Sequence, residues 1–116
     1  MRIVYGIPNC DTIKKTKDWL GNNQVEYSFY DYKKQGITLA KIEDWLSQKT
    51  IEELINKAGS TWKKLNDEQK FGNLESLKAL MIEKPSMIKR PIIEENGKII
   101  ALGFKEEIYQ ELFKKS

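Results

Sequence analysis

"PIIEENGKIIAL", residues 91–102, determines what kind of sheet the chain can build. Two apolar runs flank Asn96-Gly97, a dipeptide favoured in two-residue type I′ turns because both central residues must take positive φ. The segment predicts an antiparallel hairpin opened by Pro91. Toward the N-terminus, "RIVYGI" (residues 2–7) is a short β-branched and aromatic run closed by Gly6 and Pro8, the pattern of a buried strand. Helical spacing follows, with Ile13, Thr16 and Leu20 on one face and Gly21-Asn22 as a stop. "VEYSFY" (residues 25–30) then alternates Val25, Tyr27 and Phe29 against Glu26, Ser28 and Tyr30, predicting a second strand. Strand, helix, strand at this spacing implies a parallel βαβ unit with a right-handed crossover.

The middle of the chain reads as helical. Thr38 caps a helix carrying Leu39, Ile42, Trp45 and Leu46. "TIEE" (residues 50–53) is a capping box opening a helix with Leu54, Ile55 and Ala58 inward. Asn73 caps another with Leu74, Leu77, Leu80 and Met81, and Trp62 lies in the connection, where it is expected to pack on the core. After the hairpin, Ile108, Tyr109, Leu112 and Phe113 form one stripe between Lys105 and Lys114 that should close a face of the sheet. The order β-α-β, helices, β-β-α predicts an α/β fold, a thioredoxin-like mixed sheet with a helical insertion at about residues 38–84, in one domain spanning residues 1–116.

Composition excludes several chemistries. The chain has 116 residues, one cysteine and no histidine, so Ser/His and Cys/His pairs, His-ligated zinc and imidazole acid-base catalysis are ruled out, and no metal site is expected. A net charge of +3 is too small to imply a nucleic-acid partner, and the basic pairs Lys14-Lys15, Lys33-Lys34, Lys63-Lys64 and Lys114-Lys115 are scattered. With Arg2 followed at once by a short apolar run, neither a signal peptide nor a membrane span is expected, and the reading is a cytoplasmic protein whose cysteine stays a thiol.

That cysteine, Cys10, sits between the first strand and the first helix, in the polar, turn-forming stretch Pro8-Asn9-Cys10-Asp11-Thr12. The first amides of a helix have no intrahelical acceptor and the helix dipole is positive there, so both favour an anion. A thiol so placed, beside a cation, has its pKa lowered from about 8.5 to roughly 3.5–7.5. Lys14, one turn on, is the nearest candidate cation in sequence, with Asp11 opposing it weakly. Asn9, Thr12 and the amides at the helix start would line a pocket. Only Arg2 and Arg90 of the 20 basic residues are arginines, and Arg90 stands directly before Pro91 and a strand. A guanidinium is a planar, permanently charged fork suited to oxyanions and carboxylates.

"YGIPNCDTIKKTKDWL" (residues 5–20), "TWKKL" (61–65), "PSMIKRPII" (85–93) and "LGF" (102–104) together resemble the arsenate reductase (ArsC) family of thioredoxin-like proteins, and most of all its branch of small glutathione-dependent thiol reductases, the YffB-like proteins. The similarity runs over nearly the whole chain. It implies that Cys10 is the nucleophile, that Arg90 faces it to bind an oxyanion or stabilise the thiolate, and that Pro91 is the cis proline of the fold. Asn9, Thr12, Lys14 and Pro91 are then the candidate substrate- or glutathione-binding residues. Arsenate reductases of the family hold their oxyanion with three arginines; here the first falls at or near Asn56, Lys57 and Ala58, and the third near Leu102 and Gly103. This departure counts against arsenate. Related Spx regulators, which bind RNA polymerase, carry Cys-x-x-Cys where this chain has Cys10-Asp11-Thr12-Ile13. With no resolving thiol in the chain, the resemblance implies a small disulfide or oxyanion substrate and a second thiol from glutathione or a glutaredoxin. No bound cofactor is expected. The alternative is an Spx-like redox regulator docking on RNA polymerase.

Overall fold

In the computed structural model, which describes residues 1–114, the chain runs β1 (Arg2–Gly6), α1 (Asp11–Asn22), β2 (Ser28–Asp31), α2 (Tyr32–Gln35), α3 (Leu39–Leu46), α4 (Ile51–Leu54), α5 (Ser60–Lys63), α6 (Asp67–Lys70), α7 (Leu74–Glu83), a 3₁₀ turn (Pro85–Met87), β3 (Ile92–Glu95), β4 (Lys98–Leu102) and α8 (Glu106–Leu112). Lys115, half of the last basic pair, lies outside the described residues. Two compact units result: Met1–Asp31 together with the chain from Arg90 onward, and Tyr32–Lys89.

The first unit is a four-stranded mixed sheet in the order β2-β1-β3-β4, the thioredoxin-like arrangement expected. β1 runs parallel to β2 and antiparallel to β3, with Val4 opposite Phe29 on one side and Ile93 on the other. The β3–β4 hairpin closes through Asn96 and Gly97 at φ +51° and +84°, the two positive angles its sequence anticipates. Alternation along the strands sorts the faces. Val4, Ile93 and Ala101 pack with Leu20 of α1 and Tyr109 of α8, while Trp19, Phe29, Ile100, Phe104 and Phe113 close round them. On the other face Tyr5 donates to the buried Glu94 carboxylate at 2.9 Å, and its ring lies 5.0 Å from that of Tyr30.

In the second unit Ile42, Trp45, Leu54, Met81, Met87 and Ile88 are fully buried, and the Tyr32 and Trp45 rings meet edge to face at 6.3 Å. Helix starts follow the sequence: Thr38, Thr50, Asn66 and Asn73 each accept an amide of the following first turn, with reciprocal capping boxes at Thr50/Glu53 and Asn66/Gln69. Trp62 belongs to α5 and is partly buried, with the Lys57 ammonium 5.6 Å from its ring centre. Among the described residues no helix is long and apolar enough to cross a membrane.

Several boundaries differ from the sequence reading, each for a local reason. Pairing in β2 begins only at Ser28, opposite Ile3, while Val25 and Tyr27 pack on the core ahead of the ladder. α1 continues through Gly21 to Asn22, and the chain reverses at Gln24, φ +57°. α4 stops after one turn: Ile55 is extended and bridges Ile88, with Lys89 N–H donating to Leu54 O at 2.6 Å and Asn56 N–H to Met87 O at 2.8 Å, which leaves Ala58 exposed. On α8, Tyr109 and Phe113 turn inward against Trp19, whereas Ile108 and Leu112, one residue round the helix, are exposed. On α7, Leu77 and Met81 are buried while Leu74 is exposed.

Two glycines make opposite predictions. Gly21 is helical, and a Cβ added there would meet no atom within 4 Å, so Gly21→Ala should stabilise the protein by about 0.5–1 kcal/mol. Gly97 holds φ +84°, so Gly97→Ala should cost about 1–2 kcal/mol, both read by urea unfolding.

Candidate active site

β1 ends at Gly6, Ile7 is buried, and Pro8-Asn9 turn the exposed backbone into α1. The Ile13 side chain of α1 occupies the space a Cβ at Gly6 would need, so the glycine lets the first turn of the helix seat its buried isoleucine directly on the end of the strand. Cys10 falls at the N-cap, with extended backbone (φ −121°, ψ +131°), and its carbonyl receives the Lys14 amide at 3.0 Å, which starts the helical ladder. The side chain is half-buried and forms no disulfide.

Position fixes the electrostatics. A cysteine at the N-cap faces the amides at N2 and N3, which here belong to Thr12 and Ile13 and lie among the donors a helix leaves unsatisfied. Partial burial pushes the thiol pKa up, but the Ile13 amide, a hydrogen bond from Arg90, the Thr12 amide and the Arg90 charge together outweigh that effect, leaving it below its ordinary value.

Arg90 reaches the sulfur because of sheet register. Tyr5 of β1 pairs with Ile92 of β3 in antiparallel sense, so the chain just before β3, with Arg90, lies at the same end of the sheet as the end of β1, from which the Cys10 loop departs. The Arg90–Pro91 peptide is cis. Pro91 is buried and its carbonyl accepts the Gly103 amide at 2.8 Å.

The other sequence candidates fare differently. Thr12 contributes its amide to the sulfur, and its carbonyl accepts the Thr16 hydroxyl at 2.7 Å. Asn9 is exposed in the turn before Cys10. Lys14 is exposed and joins the site through its backbone only; the cation acting on the sulfur is Arg90, from the far end of the sequence. Pro91 enters the arrangement through its backbone bond to Gly103. Around Asn56–Ala58, Lys57 pairs with Glu52 and lies over Trp62. Gly103 takes φ +78° and accepts the Tyr109 hydroxyl at 2.9 Å. Tyr109 and Thr16 are legible in the sequence as inward-facing helix positions; their hydroxyl bonds are not.

Among the described residues no group of three or more acidic, cysteine or histidine side chains could hold a metal ion. The arrangement is a half-buried sulfur, two helix-start amides and one guanidinium, a set that stabilises a nucleophilic thiolate and any anion drawn to it.

Residues 5–112 match the ArsC family. An uncharacterised protein of Haemophilus influenzae is 41% identical over 97% of this chain and 99% of its own length. The regulatory protein MgsR of Bacillus subtilis is 30% identical over 96% of this chain and 89% of its own. Among solved structures, a YffB protein superposes with a TM-score of 0.87 at 38% identity, covering 96% of this chain and 97% of that one.

Replacing Arg90 with alanine removes both a hydrogen bond and a charge from the thiolate, so the Cys10 pKa, read from the pH dependence of alkylation, should rise toward about 8.5. The sign for stability follows from the lowered folded-state pKa. The thiolate's contribution is complete above the unfolded thiol pKa and is lost as pH falls through the folded value, so urea unfolding of wild type relative to Cys10→Ser should show an advantage that grows across that window and shrinks in the Arg90→Ala background.

Proposed function

The chain belongs to the ArsC family, and from that premise we propose that it is a cytoplasmic thiol-disulfide oxidoreductase with Cys10 as its single nucleophile. The observation that carries this reading is the sulfur at the α1 N-cap with its pKa lowered by two helix-start amides and Arg90. In the first step the Cys10 thiolate attacks one sulfur of a substrate disulfide. A protein-substrate disulfide forms, the substrate S–S bond breaks, and the departing sulfur leaves as thiolate. With one cysteine in the chain, no internal thiol can complete the cycle. A glutathione thiolate, or a glutaredoxin, attacks the substrate-derived sulfur of the mixed disulfide, forms a new disulfide with it and returns Cys10 as thiolate. A second external thiol then attacks that disulfide and frees the substrate sulfur, so the two electrons come from two external thiols, which leave joined as a disulfide.

Arg90 serves two states: it holds the Cys10 thiolate, and when that sulfur is consumed its fork can take a carboxylate of glutathione or an oxyanion on the substrate. Exposed Asn9 and the Thr12 amide stand beside the sulfur in sequence and are placed to meet the incoming group. Arsenate is disfavoured, because Lys57 is engaged by Glu52 and Trp62, and the stretch at Leu102-Gly103 offers no cation.

A second reading comes from the resemblance to Spx, a redox regulator docking on RNA polymerase with Cys10 as its sensor, and the likeness to the regulatory protein MgsR favours a regulatory role. Pull-down with the polymerase alpha subunit, set against turnover of a model disulfide by glutathione, separates the two.

Under oxidant and glutathione, intact-mass and peptide mapping should show one glutathione adduct, on Cys10, removed by further glutathione. Cys10→Ser should abolish turnover, and Arg90→Ala should lower it at neutral pH by about 10–100-fold. Absence of the adduct, with turnover unchanged in Cys10→Ser, rejects the enzyme reading.

A further inference from the structure

Pro91, next to Arg90, is tied through the backbone to a buried phenol on the last helix. The Tyr109 hydroxyl donates to Gly103 O at 2.9 Å, and the Gly103 amide donates to Pro91 O at 2.8 Å. On α1 the hydroxyl of fully buried Thr16 donates to Thr12 O at 2.7 Å. Tyr109 is 1% exposed, and its ring is gripped edge-on by Trp19 at 5.5 Å, Phe104 at 4.9 Å and Phe113 at 5.8 Å, so the hydroxyl has one place to be.

We propose that Tyr109 is a positioning residue of the thiol site: through Gly103 its hydroxyl holds the Arg90-Pro91 bend, while its ring rests on Trp19 of α1, the helix that carries the sulfur at its start. This inference rests on the reading of Cys10 as the reactive thiol. Its physical basis is that a guanidinium and two amides lower the energy of a thiolate only at hydrogen-bonding distance, and the chain segments carrying them are a strand lead-in and a helix start, where the regular backbone ladder does not by itself fix position. Gly103 at φ +78° is the hinge of the link, with both its amide and its carbonyl committed to it. Burial pushes the Tyr109 pKa far above the ordinary phenol range, so the group stays a protonated donor at every working pH.

The test is the pH profile of Cys10 alkylation in four proteins: wild type, Tyr109→Phe, Arg90→Ala and the double variant. Tyr109→Phe keeps the ring and its three aromatic contacts while removing the hydroxyl. The expected result is a rise in the Cys10 midpoint that lowers the alkylation rate about threefold to tenfold on the acidic side, with little further effect of Tyr109→Phe once Arg90 is absent. Urea unfolding of Tyr109→Phe beside wild type, with each profile recorded well below the unfolding midpoint, guards against a folding defect. A midpoint moved by Arg90→Ala but unmoved in folded Tyr109→Phe overturns the positioning role and leaves the thiol site standing. A midpoint unmoved by Arg90→Ala overturns the thiol site and this inference with it.

Discussion

The antiparallel ladder between β1 and β3 is the constraint from which the site follows. Opposite each other in it stand Val4 and Ile93, both fully buried, and Tyr5 and Ile92, also shielded from solvent. A slip of one residue would turn β3 over and drive Glu94 into the cluster of Val4, Leu20, Ala101 and Tyr109. A carboxylate there would have no partner, and the cost of burying it unpaired is several kcal/mol, so the register is fixed by burial rather than by the site. Once it is fixed, the end of β1 and the start of β3 lie side by side at one end of the sheet. The loop to Cys10 leaves from that end and Arg90 arrives at it. Two residues 80 positions apart meet because a hydrophobic face elsewhere in the sheet permits one alignment.

Chemistry without imidazole then depends on fixed dipoles. A histidine beside a thiol would accept its proton; here no such base exists, and the sulfur must become anionic because its surroundings favour charge. Full burial would defeat this, since desolvation already pushes the Cys10 pKa up from half-burial. The N-cap resolves the conflict. It leaves the sulfur open to solvent on one side while presenting the Thr12 and Ile13 amides on the other, donors that need no counter-charge and no reorganisation. Arg90 adds a charge that does not titrate, where a lysine would bring a strongly hydrated point charge without the planar fork.

How much of this the sequence discloses depends on the range of the interaction. Asn96-Gly97, the Thr50 capping box and the Ile13-Thr16-Leu20 face are local patterns, and each stands in the structure where its residues predict. Long-range backbone pairing is invisible in such patterns. Leu54 and Ile55 read as one helical face with Ala58, but the bridge from Ile55 to Ile88 gives the same residues a strand partner more than thirty positions away. On α8 an apolar spacing fits two adjacent stripes, and the aromatic contacts of Trp19 with Tyr109 and Phe113 decide which one faces in. In the site itself, Cys10 at a helix start is readable from its flanking strand and helix. Its cation is less so: sequence proximity favours Lys14, whereas sheet topology delivers Arg90.

The single guanidinium also bears on what the site is suited to attack. A tetrahedral oxyanion carries charge on several oxygens at once and is held well only by several donors converging on it. At the two stretches where further arginines would be expected, this chain has made other uses of the backbone and the charge. Gly103 stands at φ +78°, a conformation that costs a residue with a Cβ about 1–2 kcal/mol, and its amide and carbonyl are spent on Pro91 and Tyr109. Lys57 is paired with Glu52 and lies over the Trp62 ring, so recruiting it to a ligand would first break those contacts. Thiol-disulfide exchange makes a smaller demand, because negative charge passes along a line of three sulfurs and only the terminal one on the protein side needs a fixed cation. One arginine and two amides meet that demand, which is why the geometry fits sulfur exchange better than oxyanion capture.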